Sequence, residues 1–282
     1  MGAEKQDFYQ TVYKCLMQCD VDRKLQAALA LQKAYQSGQL ERVSSTRALA
    51  IDMPGRPAKP ELVLPKQVKQ RKLNTPAGRA ALLHAVAHIE FNAINLALDA
   101  AYRFRDMPEH YYADWLQVAA EEAYHFDLVR ERMRELGAEY GEMPAHNGLW
   151  EQARRTDYDV MVRMALVPRV LEARGLDVTP SMIARLKQEH DQKTIDVLEI
   201  ILKDEIGHVR IGSYWFHYCC HERGLEPEAT FRKLLCEVLH APVRGPLYNE
   251  GRLQAGFSAQ ELEQLRLLEE NWVEEITRPS AA

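Results

Sequence analysis

Apolar residues recur at intervals of three and four over several long segments of this chain, which predicts amphipathic helices. The three longest such segments run from about Pro76 to Arg105, from Pro108 to Leu136 and from Gln192 to Glu222. Thr75 before the first segment and Gly137 after the second are residues that typically begin and end helices. No segment shows sustained alternation with a period of two, so we expect negligible β-sheet.

Two shorter helices and a proline-rich segment precede the first long helix. The shorter helices are predicted over about 7–19 and 22–36, and Gly38 ends the second. Residues 41–75 combine polar residues with prolines, which favours an extended strap that packs on the helices. The prolines are Pro54, Pro57, Pro60 and Pro65.

A crossover and a third long helix follow the first helical hairpin. Residues 137–157 are predicted to form the crossover, and the helix begins near Tyr158. Residues 174–180 contain a glycine and then Thr179-Pro180, a pair that is typical of an N-cap and a first helical position. We therefore expect an interruption immediately after Glu172, which could open the surroundings of that residue to a substrate.

The order of the four long helices predicts the architecture. A short hairpin, a long crossover and a second hairpin are the connectivity of a ferritin-like four-helix bundle. We predict an all-α fold with additional N- and C-terminal helices, the latter over about 227–241 and 259–276. Residues 1–75 would form the N-terminal helices and strap, residues 76–223 the bundle with a dinuclear metal site, and residues 224–282 a C-terminal helical extension.

Six acidic and imidazole side chains repeat one spacing. Glu90 is followed by a Glu-x-x-His motif 32 residues later (122 − 90), and Glu172 is followed by a second such motif 33 residues later (205 − 172). This repeated spacing indicates an internal duplication. In an antiparallel hairpin that turns near residue 106, the first two glutamates come level, and the histidine lies one turn further on the same helical face. The predicted metal ligands are Glu90, Glu122, His125, Glu172, Glu205 and His208.

Other acidic and imidazole residues receive different interpretations. Glu237 and His240 form a third Glu-x-x-His, which we attribute to chance. The glutamate at the right distance before it is Glu205, which already belongs to the second copy of the repeat. His84 and His88 share a helical face that points away from Glu90, so we expect them to pack against the N-terminal helices or the strap.

The ligand set predicts the metal chemistry. Four carboxylates and two imidazoles without a thiolate suit two iron ions, with manganese, a mixed manganese and iron pair, or zinc as alternatives. Which carboxylates bridge the ions stays open. Glu121 and Asp204 each precede a ligand glutamate, and we expect each to accept the free N–H of the following histidine and so to fix its tautomer.

Composition narrows the class of protein. The chain has 282 residues, 46% of them hydrophobic, and a formal net charge of −5, which gives no general attraction to nucleic acid. The sequence shows no run of about 18 apolar residues, so we expect no membrane span. An odd number of cysteines fits reduced thiols, and the first residues do not resemble a secretory signal, so we expect a cytoplasmic protein. We interpret one local basic run as solvated surface; it consists of Lys66, Lys69, Arg71 and Lys72.

Four motifs carry a resemblance to a known family. They are Leu83–Glu90 (LHAVAHIE), Glu121–Phe126 (EEAYHF), Val170–Asp177 (VLEARGLD) and Asp204–Val209 (DEIGHV). The chain resembles a group of ferritin-like bacterial proteins of unassigned function from about Pro54 through the fourth long helix. More distantly, it is similar to di-iron tRNA hydroxylases and multicomponent monooxygenases, in which the acid before the ligand glutamate supports the metal ligands. The resemblance implies the fold and the metal site but no substrate.

These features lead to one principal functional hypothesis and three alternatives. The principal one is a di-iron oxidase or monooxygenase that uses O2 and an electron donor to oxidise a small organic molecule. The alternatives are a ferroxidase that handles iron, a tRNA hydroxylase-like enzyme, and a metal-binding module without turnover. We expect a monomer or a small homo-oligomer.

Overall fold

The computed structural model describes residues 5–43, 47–69 and 71–273 and confirms the all-α fold. Within these ranges, the strands are two short segments, β1 (Gln6–Asp7) and β2 (Leu40–Glu41), which pair in parallel. The chain forms two structural units. The first contains the described residues up to Asp157 together with Gln188–Val197, and the second contains Tyr158–Lys187 together with the described residues from Leu198 onward. The predicted boundaries at 75 and 223 stay predictions.

The helices follow the predicted order, with two additional short helices, one in the crossover and one near the C-terminus, and with a continuous helix where an interruption was expected. In chain order they are α1 (Phe8–Leu16), α2 (Val21–Gln36), α3 (Pro76–Arg103), α4 (Glu109–Glu135), α5 (Gly148–Arg155), α6 (Val160–Leu166), a π-helical segment (Val167–Glu172), α7 (Ala173–Gln188), α8 (Gln192–Glu222), α9 (Pro227–Leu234), a second π-helical segment (Leu235–Leu239), α10 (Asn249–Gln254) and α11 (Ala259–Glu270).

The hairpin of α3 and α4 forms the centre of the first unit. The side chain of Thr75 accepts a hydrogen bond from the Gly78 amide at 3.0 Å, and Pro76 occupies the first turn, so α3 begins as predicted. Between the helices, the Tyr112 hydroxyl donates to the Phe104 carbonyl at 3.1 Å and fixes the short turn. α3 is long and apolar enough to cross a membrane, but 78% of its most apolar window is buried inside the protein, as in the core helix of a soluble domain.

A buried lysine connects three segments of the first unit. Lys24 of α2 is fully buried, and its Nζ donates to the Leu16 carbonyl at 2.9 Å, to the Gly55 carbonyl at 2.6 Å and to Oδ1 of Asn95 in α3. Gly55 belongs to the strap, and a Cβ atom at this position would overlap the backbone of Met17. Lys24 therefore ties the end of α1 and the strap to α3, and burial lowers its pKa to about 7.

The crossover is more ordered than the sequence indicated. It contains the helix α5, whose Trp150 is buried and donates its indole N–H to the Asp52 carbonyl at 3.0 Å. The Val63 amide donates to the Ala145 carbonyl at 2.8 Å. The described part of the strap thus packs along the crossover within the first unit.

The expected interruption over 174–180 is wrong, because α7 continues through Pro180. The irregularity lies before Glu172 and is the π-helical segment Val167–Glu172, which we call the π segment. Inside α7, the Thr179 hydroxyl donates to the Gly175 carbonyl at 2.8 Å. Asp177 accepts two hydrogen bonds from the buried Arg252, at 2.9 and 2.8 Å. These tertiary contacts outweigh the local signals for a break.

The C-terminal helices complete the second unit. Ser258 caps α11 by accepting a hydrogen bond from the Glu261 amide at 2.9 Å. The helix α11 ends at Glu270, whereas residues 274–276 of the predicted helix lie outside the described residues. The sequence did not predict α10, which carries Arg252. These helices cover α7 and the π segment through buried side chains.

Candidate metal centre

Three predicted ligands meet in the interior of the first unit, and we call them the first half-site. Glu90 projects from α3, and Glu122 and His125 project from α4. Nδ1 of His125 lies 3.4 Å from Oε2 of Glu90 and 3.5 Å from Oε2 of Glu122. The three side chains are 0–4% exposed. The hairpin therefore brings both carboxylates to the same imidazole nitrogen, as the spacing predicted.

Small side chains explain how the two helices can approach at this point. Ala87 and Ala93 on α3 and Ala119 and Ala123 on α4 are all buried. Alanine leaves room for a close helix crossing and favours the helical backbone. The larger polar side chains of the first half-site therefore fill space in a close-packed interior.

The electrostatics of the first half-site follow from its two carboxylates. Burial lowers the pKa of His125, but hydrogen bonding and the negative charges of Glu122 and Glu90 outweigh burial and raise this pKa to about 11. A proton on the imidazole then offsets one of the two carboxylate charges in the metal-free protein. A metal ion that binds Nδ1 must displace this proton, so metal binding is coupled to proton release.

The remaining predicted ligands belong to the second unit, and we call them the second half-site. Glu205 and His208 lie on α8, where Oε1 of Glu205 is 3.7 Å from Nδ1 of His208. Their side chains are 11% and 1% exposed. Glu172 is the last residue of the π segment and is partly exposed. The Glu-x-x-His spacing thus places the acid and the imidazole on one face of α8, as predicted.

The first half-site has the chemistry of a metal site. Glu90, Glu122 and His125 each present a ligand atom, and these atoms lie within 4.8 Å of one another. Carboxylate oxygen and imidazole nitrogen are donors that suit iron, manganese and zinc. This buried cluster could therefore hold a metal ion, and the donor set leaves the identity of the metal open. The assignment of all six residues to one dinuclear site stays a prediction.

Glu121 and Asp204 are expected from the sequence to accept the free N–H of the following histidine, and this role stays a prediction. Glu121 is partly exposed and accepts a hydrogen bond from the Gln117 amide at 2.9 Å within α4. Asp204 is also partly exposed on α8. Both residues lie at the edge of the buried helix faces that carry the half-sites.

Three other histidines, which the sequence sets apart from the predicted ligands, contact neighbouring parts of the chain. Nε2 of His84 accepts the Gly141 amide at 3.0 Å, and Nδ1 of His88 lies 3.0 Å from the Tyr140 hydroxyl. The partners of both histidines therefore include the crossover, where we had expected the N-terminal helices or the strap. The third Glu-x-x-His is exposed, and Nδ1 of His240 contacts the Cys236 carbonyl at 2.9 Å, so this motif caps a helix end.

The sequence interpretation missed the packing that surrounds the second half-site. Pro168 in the π segment packs on Gly212 of α8, where a Cβ atom would overlap the proline ring. Gly212 is one helical turn beyond His208. A proline inside an apolar helical pattern is a known signal for a kink or a break, and Pro168 carried that signal four residues before Glu172.

Comparison with known proteins places the chain in a family. Residues 17–263 match the family described as protein of unknown function (DUF455). The chain is also 50% identical over 214 residues to a Haemophilus influenzae protein described as uncharacterized, an alignment that covers 73% of this chain and 74% of the relative. No solved structure matches the chain. The chain belongs to the DUF455 family.

Proposed function

We propose that this member of the DUF455 family is a ferritin-like protein that binds two metal ions through Glu90, Glu122, His125, Glu172, Glu205 and His208. The observation that carries the proposal is the burial of Glu90 and Glu122 beside one imidazole. Two carboxylates and an imidazole that converge in the interior form a donor set that suits a divalent cation such as iron, manganese or zinc.

We further propose that the bound metal is iron and that the protein is an oxidase or monooxygenase. Two Fe(II) ions, when bound, would supply electrons that reduce O2, and the activated oxygen would be the oxidant that takes electrons from an organic molecule. The duplication of Glu and Glu-x-x-His in sequence supports a pair of ions rather than one. The substrate would be a small organic molecule, the electrons for repeated turnover would come from a separate donor, and the protein would act in the cytoplasm.

The residues themselves would perform three tasks in this function. The carboxylates would hold the ions, and His125 and His208 would each bind one ion through Nδ1, the nitrogen that faces the carboxylates. The alanine-rich packing of α3 and α4 would exclude water from the first half-site. The greater exposure of Glu172 supports entry of the substrate on the side of the second half-site.

Loading with iron under anaerobic conditions tests this function. The metal-free protein would receive two equivalents of Fe(II) per chain and then O2, while absorbance and dissolved O2 are followed. We expect rapid O2 uptake and a transient absorbance band. Binding of iron without O2 uptake would disprove the oxidase but retain the metal site, and deposition of ferric mineral would favour an iron-handling protein.

A further inference from the structure

A buried arginine dominates the interior of the second unit. Arg169 lies in the π segment, three residues before Glu172, and is fully buried. Its Nη2 donates to Oε1 of Glu261, a buried residue of α11 that is 92 positions away in sequence. Both partners of such a buried ion pair must be held in place, because either partner alone would be an uncompensated charge in the interior.

Three aromatic rings from separate segments enclose the same guanidinium. Its carbon Cζ lies 4.2 Å from the ring centroid of Phe257, 4.7 Å from that of Phe231 and 5.0 Å from that of Phe216. Among the described residues, Nε and Nη1 of Arg169 have no hydrogen-bond partner, so the ring faces and Glu261 are what compensate the cation here. The position of Arg169 is therefore fixed by the helices α8, α9 and α11 and the turn before α11.

The π-helical backbone determines the angle between the directions in which the Arg169 and Glu172 side chains leave the helix. A π turn contains more residues than an α turn, so side chains three positions apart diverge more than they would in an α-helix. The widened turn allows the arginine to enter the aromatic enclosure while the glutamate leaves the helix in a different direction. A return to α-helical geometry would rotate one of these two side chains away from its present direction.

A second contact fixes the same segment against α8. Pro168 lies directly on Gly212, and no side chain larger than that of glycine fits between them. Because Pro168 has no amide hydrogen, it also removes one hydrogen bond of a regular helix at this point. The π segment is thus held on one side by the proline contact with α8 and on another by the ion pair with α11.

From these contacts we infer that Arg169 and Glu261 are positioning residues for Glu172, so that the C-terminal helices set the geometry of the second half-site. The inference rests on the proposed function, in which Glu172 is a metal ligand. It assigns to the C-terminal extension a role in metal binding, although none of the six proposed ligands lies there.

A cobalt titration of the full-length metal-free chain tests the inference. Co(II) is added while its visible d–d absorption, which depends on coordination geometry, is recorded. The wild-type chain should bind two equivalents. Glu261→Gln should bind one of these about tenfold more weakly and with an altered spectrum, a loss in the range seen when residues that support metal ligands are replaced. The other equivalent should keep its affinity.

Asp177→Asn provides the matched control. Asp177 of α7 also forms a buried ion pair with the C-terminal helices, with Arg252 at 2.8 Å, but lies in regular α-helix beyond the π segment. We expect this variant to lose stability and to keep the cobalt titration of the wild type. If Glu261→Gln does not fold, Phe257→Leu replaces it, because the substitution removes one ring and leaves the ion pair. It should show a smaller change of the same kind.

The outcomes separate the inference from the function on which it rests. A Glu261→Gln titration that superimposes on that of the wild type would overturn the positioning role and leave the metal site intact. An equal weakening by Asp177→Asn would also overturn it, because general loss of stability would then explain both. A wild-type chain that binds no cobalt would overturn the proposed function and the positioning role with it.

Discussion

The two half-sites repeat the same sequence spacing but differ in structure. Glu90 projects from α3, a regular helix of 28 residues, whereas Glu172 ends a π segment that interrupts the helical geometry. The side chains of the first half-site are at most 4% exposed, whereas Glu205 is 11% exposed and Glu172 is partly exposed. The duplicated spacing therefore gives both half-sites the same donor types. The packing closes the first half-site and leaves the second more accessible to solvent.

The support around each half-site differs in the same way. The hairpin of the first half-site is held by the neutral packing of alanines and by Lys24, which donates to two carbonyls and the Asn95 amide oxygen. The second unit contains two buried arginines, each paired with a carboxylate, and one of them, Arg169, lies in the π segment that ends with Glu172. Ion pairs need both partners in place, so we expect the second half-site to depend more on distant substitutions.

The largest effect should come from removing a carboxylate of the closed half-site. Glu122→Gln keeps the shape of the side chain but removes a charged donor, so we expect metal content to fall from two ions per chain to one or none. Elemental analysis of the purified variant measures this. Glu237→Gln is the control, since it alters the exposed third Glu-x-x-His and should retain two ions. Equal metal loss in both variants would contradict the distinction between the motifs.

Packing of the π segment should be sensitive to one methyl group. In Gly212→Ala, the added Cβ would overlap the Pro168 ring, which cannot move without the backbone. We expect a loss of about 1–3 kcal/mol in the free energy of unfolding, measured in urea. Gly207→Ala, on the same helix with no atom within 4 Å of the new Cβ, should instead gain about 0.5–1 kcal/mol. Equal effects would show that the contact with Pro168 is unimportant.

Lys24 should make stability depend on pH. Burial lowers its pKa from 10.5 to about 7, so between these values the unfolded chain binds a proton that the folded chain does not. Stability from this group should therefore rise with pH across that window, by at most about 1.4 kcal/mol per pH unit, and stay flat below it. Lys24→Met should lack this slope. Parallel curves for the two proteins would mean that the three acceptors keep the ammonium charged.

The smallest effect should come from the histidine contact with the crossover. Tyr140→Phe removes the hydroxyl that lies 3.0 Å from Nδ1 of His88 and should cost about 1 kcal/mol in thermal or urea unfolding. Metal content should not change, because His88 is not among the proposed ligands. Tyr124→Phe, at a side chain 49% exposed, should leave both properties unaltered. A loss of metal in Tyr140→Phe would require a revised ligand set.

Local signals predicted the regular parts of the fold and the composition of the first half-site. The helix α8 has the predicted bounds, Gln192–Glu222, and α3 begins at Pro76 after the Thr75 cap, because periodicity and capping depend on neighbouring residues. The meeting of Glu90, Glu122 and His125 follows from the helical rise and a short turn. These properties need no knowledge of distant contacts.

Contacts between distant residues explain what the sequence could not predict. The pair Asp177 and Arg252 is 75 positions apart, and with such contacts α7 runs through Pro180 where local rules favoured a break. The π segment likewise depends on the partners of Arg169 and on the fit of Pro168 to Gly212. Neither partner can be identified from periodicity, since a buried arginine has the same sequence signature as an exposed one.

Metal content of the wild-type protein is the decisive test of the proposed dinuclear site. The chain would be purified without added metal, and iron, manganese and zinc would be measured per chain before and after anaerobic addition of Fe(II). We expect two ions per chain, which are lost together with their spectroscopic signal when Glu90 and Glu205 are both replaced by glutamine. A protein that stays free of metal under both conditions, while correctly folded, would contradict it.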